Sequence, residues 1–352
     1  MKSKGICRLP VYSSLLTLAL FFNLVVSNAY AKGKPAEISS TEGQEGSVLK
    51  LSFHRNHFNT WLNYFSKRNT DLFDRYRQRG RRYEKIVRTI FRQHGLPEDL
   101  FYVGMIESGY LDTARSHAEA VGPWQFIAST GKAYGLRIDH QVDERLNIVK
   151  STQAAARYLR DLYNIFGSWE LALCAYNKGE YGIIRSIRKG NTRNYLELVR
   201  KRLLPDETVN YVPKIAAARE LYRNPQSYGM QQLFDSSMEI PILAKFKKKI
   251  DLLRLSKEMN ITYSELRQIN PDIKGQVVTT KGSFSLVIPR EKKELLQKYG
   301  QSADRLTTYI VQKGDTLHAI ARRFGIEVAE LLQINKIKAD QLRPNQEIRV
   351  PI

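Results

Sequence analysis

The sequence is short of cysteine, of acid and of long apolar runs, and each shortage removes a class of explanation. Its two cysteines are Cys7 and Cys174. Cys7 lies in an N-terminal segment expected to be removed, so no intramolecular disulfide can form. Cys174 stands among Leu171, Ala172, Leu173 and Ala175, the setting of a packed thiol; a nucleophile is the alternative. Aspartate and glutamate number 35 against 56 lysines and arginines, a formal charge of +21 over 352 residues. Such an excess attracts an anionic partner, and nucleic acid, a membrane surface and a wall polymer all qualify. Zinc-finger spacing and a phosphate-binding glycine loop are both missing, so the charge is poor evidence for nucleic acid. His54 and His57 are three apart with no third ligand beside them. They read as two exposed histidines on one helix, and neither a metal nor a cofactor is expected.

The apolar run from Val11 to Val26 is short for a membrane span. It follows Lys2, Lys4 and Arg8 and leads to Ala29-Tyr30-Ala31, small residues where a signal peptidase needs them, with Lys32 beginning the mature chain. A signal peptide over 1–31 is therefore expected, an uncleaved anchor being the alternative. No cysteine follows the run, so no lipid attachment and no stable membrane insertion of the mature chain are expected. The destination is the periplasm or cell envelope, with release to the outside as second choice.

The length suits two or three domains. Residues 32–48, rich in Gly, Ser, Glu and Lys, read as a linker. From 49 to 230 the pattern is helical. Within it Arg75, Arg77, Arg79, Arg81 and Arg82 form a basic cluster, either a solvated helix face or a surface that steers the chain toward acidic polymer. After Gly229 an internal repeat appears. With a shift of 65, Leu252, Leu255, Ile261, Glu265, Leu266, Gln268, Ile269 and Asn270 meet Leu317, Ile320, Ile326, Glu330, Leu331, Gln333, Ile334 and Asn335. The second copy predicts a βααβ unit. Tyr309-Ile310-Val311 is a strand, Gly314 a turn and Asp315 or Thr316 a helix cap; Leu317, Ile320, Ala321 and Phe324 follow at helical spacing. A second helix carries Val328, Leu331 and Leu332, and Glu347 to Val350 is the closing strand. This copy, over 307–352, resembles the LysM module, which implies binding of N-acetylglucosamine-containing glycans. It departs at Asn345, where glycine is usual, but Asn tolerates the left-handed backbone. The first copy, 249–290, lacks the Gly-Asp-Thr turn. Glycan binding and a purely structural role are equally open for it.

Leu96 to Tyr110 reads as a helix whose apolar face carries Leu100, Val103, Ile106 and Glu107, closed by Gly109. Burial and the negative helix end both disfavour a carboxylate there, so Glu107 can stay protonated near neutral pH and act as an acid. An exposed helix-end glutamate is the other reading. Ser116, Gly122-Pro123-Trp124-Gln125-Phe126, Asp143-Glu144-Arg145, Ala175-Tyr176-Asn177-Lys178-Gly179, Glu207-Thr208 and Tyr211-Val212-Pro213-Lys214 follow in that order. This ordered set resembles the family 1 lytic transglycosylases. The resemblance implies a lysozyme-like helical domain over 49–230, giving a mainly α chain that ends in small βααβ modules. It implies Glu107 as single catalytic acid/base. It further implies Ser116 and Gln125 holding the N-acetylmuramic acid acetamido group, the Tyr176-Asn177 motif with a tyrosine that orients Glu107, and Tyr211 as the late tyrosine of the site. Bland alternatives stand beside each: Ser116 as a helix cap, Gln125 as a surface amide, Tyr176 and Asn177 as core filler and helix stop, Glu207 as a helix-start charge. Trp124 is expected in the core rather than under a sugar. Asp112 or Glu119 as a second carboxylate is a minor alternative. The partner so implied is the peptidoglycan glycan strand, cut non-hydrolytically. A hydrolytic muramidase on the same scaffold and a non-enzymatic wall-binding scaffold are the rivals.

Overall fold

The computed structural model describes residues 49–246, 249–279, 284–296, 306–324, 326 and 328–351. The expected signal peptide and linker lie outside the described residues. From Arg55 to Arg223 the chain is helical. The helices are α1 (Arg55–Asn63), α2 (Thr70–Gln93), α3 (Phe101–Ser108), α4 (Ala128–Ala133), α5 (Ile148–Phe166), α6 (Trp169–Lys178), α7 (Glu180–Gly190), α8 (Tyr195–Arg200) and α9 (Asp206–Arg223). The fold class is mainly α, as expected. Local chemistry sets the ends. Asn147 accepts from Val149 N and Lys150 N to start α5, Ser168 accepts from Leu171 N to start α6, and Gly167 closes α5 in the left-handed region. Helix α6 runs through the middle, with Leu171 to Ala175 all buried, and packs on α5, α7 and α9. Cys174 is one of these core positions, its thiol pushed up by burial.

Helix α9 carries Pro213 in its interior. A proline there has no N–H for the carbonyl four residues back, that of Val209. The Tyr195 hydroxyl fills the gap, donating to Val209 O at 2.8 Å. The helix therefore continues through its proline and stays packed against α1, α3 and α6.

The arginine cluster on α2 does not form a single solvated face or basic surface. Arg77 is buried and donates to Asp74 at 2.6 Å and to Gln231 O at 2.7 Å. Arg79 donates to Gly109 O at 2.6 Å, and Arg81 pairs with Glu84 at 2.9 Å. Arg75 and Arg82 are exposed. An i, i+2 spacing on a helix turns successive side chains to different faces, so one run serves three environments. Asp99, just before α3, is a buried hub that accepts from Leu49 N and meets Arg88, Arg219 and Arg223.

The two repeats follow. In the first, β1 (Ile242–Phe246) pairs antiparallel with β4 (Phe284–Ile288), and β2 (Ile250–Asp251) with β3 (Val277–Val278), around α10 (Leu252–Glu258) and α11 (Tyr263–Ile269). The sheet opens at Ile242, upstream of 249. In the second, β5 (Leu306–Ile310) pairs with β6 (Glu347–Pro351) around α12 (Leu317–Arg323) and α13 (Val328–Asn335). Thr316 caps α12, and Asn345 is left-handed at φ 66°. One asparagine per copy stitches helix to closing strand in the same way. Asn270 donates to Leu266 O and Val287 O and accepts from Val287 N; Asn335 donates to Leu331 O and Arg349 O and accepts from Arg349 N.

The second repeat has its own small core of Val311, Leu317, Ile320, Ala321, Leu331, Ile348 and Val350. The first shares its core with the helical domain. Val142 packs into the repeat's cluster, and Val287 into the helical core.

Candidate active site

Helix α3 is eight residues long and its first six, Phe101 to Ile106, are buried. Gly109 ends it at φ +57°, where a β-carbon would come within 2.1 Å of the Tyr76 ring. Only glycine fits both the backbone and the contact. With the Arg79 guanidinium on its carbonyl, the helix end carrying Glu107 is held from two sides.

The following loop is fastened to that end. Ser108 Oγ donates to Pro123 O at 2.8 Å and the Tyr176 hydroxyl to Trp124 O at 2.8 Å. Trp124 is fully buried, donating from Nε1 to Thr152 at 2.9 Å, and is core as expected. Gln125 adopts a positive φ of 48° and donates from Nε2 to Gly122 O at 2.9 Å, with a longer contact to Ala114 O. Both bonds use the amide nitrogen, which leaves its oxygen to accept. Ser116 is exposed; its Oγ accepts from Ala120 N at 3.1 Å in a turn, and no helix starts there.

Helix α9 closes the site. Glu207, Tyr211 and Lys214 fall at i, i+4 and i+7, on one face. The Tyr211 hydroxyl donates to Glu107 Oε1. The tyrosine of the Tyr176-Asn177 motif, expected to orient Glu107, sends its hydroxyl to the Trp124 carbonyl and so acts on the loop. Asn177 donates to Glu207 at 3.1 Å and accepts from Thr208 Oγ1 at 2.9 Å. The sequence motif assigns Lys214 no role. Its ammonium lies 4.7 Å from the Trp61 ring centroid, and Trp61 Nε1 donates to Asn210 at 3.0 Å. The helical spacing from Tyr211 was the signal that could have found it. Asp112 accepts from Tyr83 at 3.4 Å and Glu119 is exposed; the acid whose charge reaches Glu107 is Glu207.

Burial pushes the Glu107 carboxyl up to about 7, opposed by the Tyr211 hydrogen bond and the Lys214 charge and reinforced by Glu207. Glu107 keeps partial exposure, so its carboxyl is desolvated without being sealed away. Burial lowers Lys214, while Glu107 and Glu207 hold it up. Burial raises Tyr176 and Tyr211 well above the ordinary tyrosine value, so both remain hydrogen-bond donors. The result is one acid poised near neutrality, with a donor and a cation ready to receive its ionised form.

A family model for the transglycosylase SLT domain matches residues 89–199, and one for the LysM domain matches residues 309–351. The chain contains an SLT domain and a LysM domain. The SLT match spans α3, the Gly122–Gln125 loop and α6, and stops short of the α9 face. The chain is homologous to membrane-bound lytic murein transglycosylase D of Escherichia coli strain K12, 28% identical over 275 residues, covering 74% of this chain and 61% of that protein. It thus spans about three-fifths of that relative's length. Peptidoglycan transglycosylase gp16 of Escherichia phage T7 is 38% identical over 101 residues, 28% of this chain and 8% of the phage protein. Among solved structures, the 70 kDa soluble lytic transglycosylase of Escherichia coli aligns with a TM-score of 0.38 at 20% identity, over 49% of this chain and 29% of that one. Among the described residues no cluster of three or more His, Cys, Asp or Glu could hold a metal ion, and no helix is long and apolar enough to cross a membrane.

Proposed function

We propose that this SLT-domain protein is a peptidoglycan lytic transglycosylase. It cleaves the β-1,4 bond between N-acetylmuramic acid and N-acetylglucosamine and leaves a 1,6-anhydro end. The observation that carries the reading is the Glu107 carboxyl, lifted to about 7 by burial and bonded to Tyr211. Breaking the bond needs a proton on the leaving oxygen and support for an oxocarbenium-like C1. Protonated Glu107 donates to the leaving O4, and the C1–O4 bond breaks. The substrate's acetamido group supports C1, held by the free oxygen of Gln125 and by the segment carrying Ser116. Glu107 is now a carboxylate, stabilised by the Tyr211 hydroxyl and the Lys214 charge. It then takes the proton from the muramic C6 hydroxyl as O6 bonds to C1. The donated proton stays on the released 4-hydroxyl, the C6 hydroxyl proton restores the acid form of Glu107, and no water is consumed.

On this reading 49–230 is the catalytic domain and 307–352 the glycan-binding module, working in the cell envelope after export to the periplasm. Muropeptide mass spectrometry on digested sacculi tests it. The expected product is one water lighter than a reducing end and is missing with Glu107→Gln. Reducing ends alone would make the protein a hydrolytic muramidase, and sacculi bound but left intact by the unaltered chain would make it a wall-binding scaffold.

A further inference from the structure

The two repeats share Asn270 and Asn335, but not the residue two places on. With the shift of 65, Asp272 corresponds to Ile337. The second copy forms its two-stranded sheet and core with an isoleucine in that place. Asp272 is nonetheless fully buried, and among the described residues its hydrogen bonds and ion pair are all with the helical domain. Its carboxylate accepts from Lys150 Nζ at 2.7 Å and from Asn147 Nδ2 at 2.9 Å, and its carbonyl accepts from Asp143 N at 2.8 Å. Lys150 is itself buried and also pairs with Glu144 at 3.0 Å. A charge taken so far out of water is stabilised only by such partners, and losing one leaves the other stranded. Val142 and Ile273 extend the join as a β-bridge, and Lys274 N donates to Gln141 O at 2.9 Å.

The held segment, 141–150, is the one that fixes the loop beside Glu107. Asp143 takes the Arg145 guanidinium in a two-point pair at 2.9 and 2.8 Å. The remaining nitrogen of Arg145 donates to Phe126 O at 3.1 Å and to Glu119 O at 3.3 Å. A β-carbon on Gly122 would come within 2.0 Å of the Arg145 carbonyl, so the two backbones are in contact. Hydrogen bonds thus run from the Asp272 backbone carbonyl through Asp143 and Arg145 to the loop 114–126 that carries Ser116 and Gln125, while the Asp272 carboxylate holds the same segment at Asn147 and Lys150.

We propose that the first repeat is a built-in brace for this substrate-facing loop, with Asp272 as its positioning residue, and is not a glycan-binding module. In the turn after α11, Asp272 and Ile273 are buried against the helical domain, so this part of the turn is taken up by the join. The corresponding turn of the second repeat, from Lys336 to Ala339, is largely solvent-accessible. The identity of the ligand at the loop rests on the activity proposed above; the mechanical coupling does not.

Asp272→Asn in the full chain keeps the side-chain volume and removes the charge facing Lys150. Amide hydrogen exchange within 114–126, including Ser116, Ala120, Gly122 and Phe126, is expected to quicken by about tenfold or more, with Leu171 to Ala175 unchanged. On a soluble glycan, KM is expected to rise about three- to tenfold with kcat and the alkaline limb of the pH profile nearly unchanged, because Glu107 and its partners are untouched. Faster exchange confined to 242–290, with 114–126 as slow as before, would show a mere attachment and overturn the brace. Should Asp272→Asn fail to fold, Arg145→Lys cuts the same path without touching the repeat; the loop amides must then quicken, and their staying slow overturns the proposal equally. The exchange readout needs no substrate, so an inactive wild-type protein would sink the activity reading and leave this one still tested.

Discussion

At the scale of single residues the site turns on which charge state each group prefers. Glu107 sits at about 7 in the folded chain against an ordinary 4.5. The folded value is the higher, so the stability this group contributes is intact below pH 4.5 and is lost as pH climbs through 7, by up to about 3 kcal/mol. Glu107→Gln should therefore gain thermal stability relative to the unaltered chain on going from pH 5 to pH 8, while losing about 10²- to 10⁴-fold in lysis of sacculi. A stability difference that stays flat with pH, measured by thermal melts across that range, would contradict the desolvated carboxyl. On the proposed activity, kcat/KM of the unaltered chain should fall about tenfold per pH unit above about 7, as the proton donor is lost. Tyr211→Phe removes a donor that favours the ionised form. Its alkaline limb should move up by about one pH unit while kcat drops. An unmoved limb would mean that Tyr211 only packs.

At the scale of elements, α9 is where local rule and tertiary context disagree. Pro213 breaks one rung of the helix, and Tyr195, from α8, supplies the missing donor. Tyr195→Phe should cost about 1–2 kcal/mol in denaturant unfolding, since it strands a buried carbonyl. In a Pro213→Ala background the alanine N–H can take over and the penalty should shrink markedly. Equal penalties in both backgrounds would refute the substitution of one donor for the other. The same rung keeps Glu207, Tyr211 and Lys214 in line, so an unremarkable hydroxyl in the core supports the face that meets Glu107.

At the scale of the whole molecule the two repeats have parted company. The second, with its own core, is the one expected to hold wall glycan. Removing 307–352 should weaken co-sedimentation with sacculi and leave cleavage of soluble glycan fragments intact; undiminished co-sedimentation would refute its anchoring role. Free positive charge is not confined to the exposed Arg75 and Arg82 of α2. Lys178, Arg185, Lys189 and Arg202 line an open cavity of about 270 Å³ and form no ion pair among the described residues. Replacing these four by glutamine should weaken sacculus binding at low salt and matter little at high salt, where exposed charges are screened. An equal effect at both would point to a packing role.

Much of this was legible along the chain. The helical class, the repeat, the βααβ order of its second copy and a glutamate on the apolar side of a glycine-closed helix all follow from spacings of a few residues, which backbone geometry converts directly into faces and turns. What only the tertiary structure decided are partnerships between distant positions: Tyr211 rather than Tyr176 on Glu107, Lys214 beside them, Asp99 among three arginines, Asp272 on Lys150. Tyr211 and Glu107 are 104 residues apart in sequence, and Asp272 and Lys150 are 122 apart. No periodicity spans such a distance. Which charges meet is settled by how whole helices pack, and burial then forces each meeting to be satisfied.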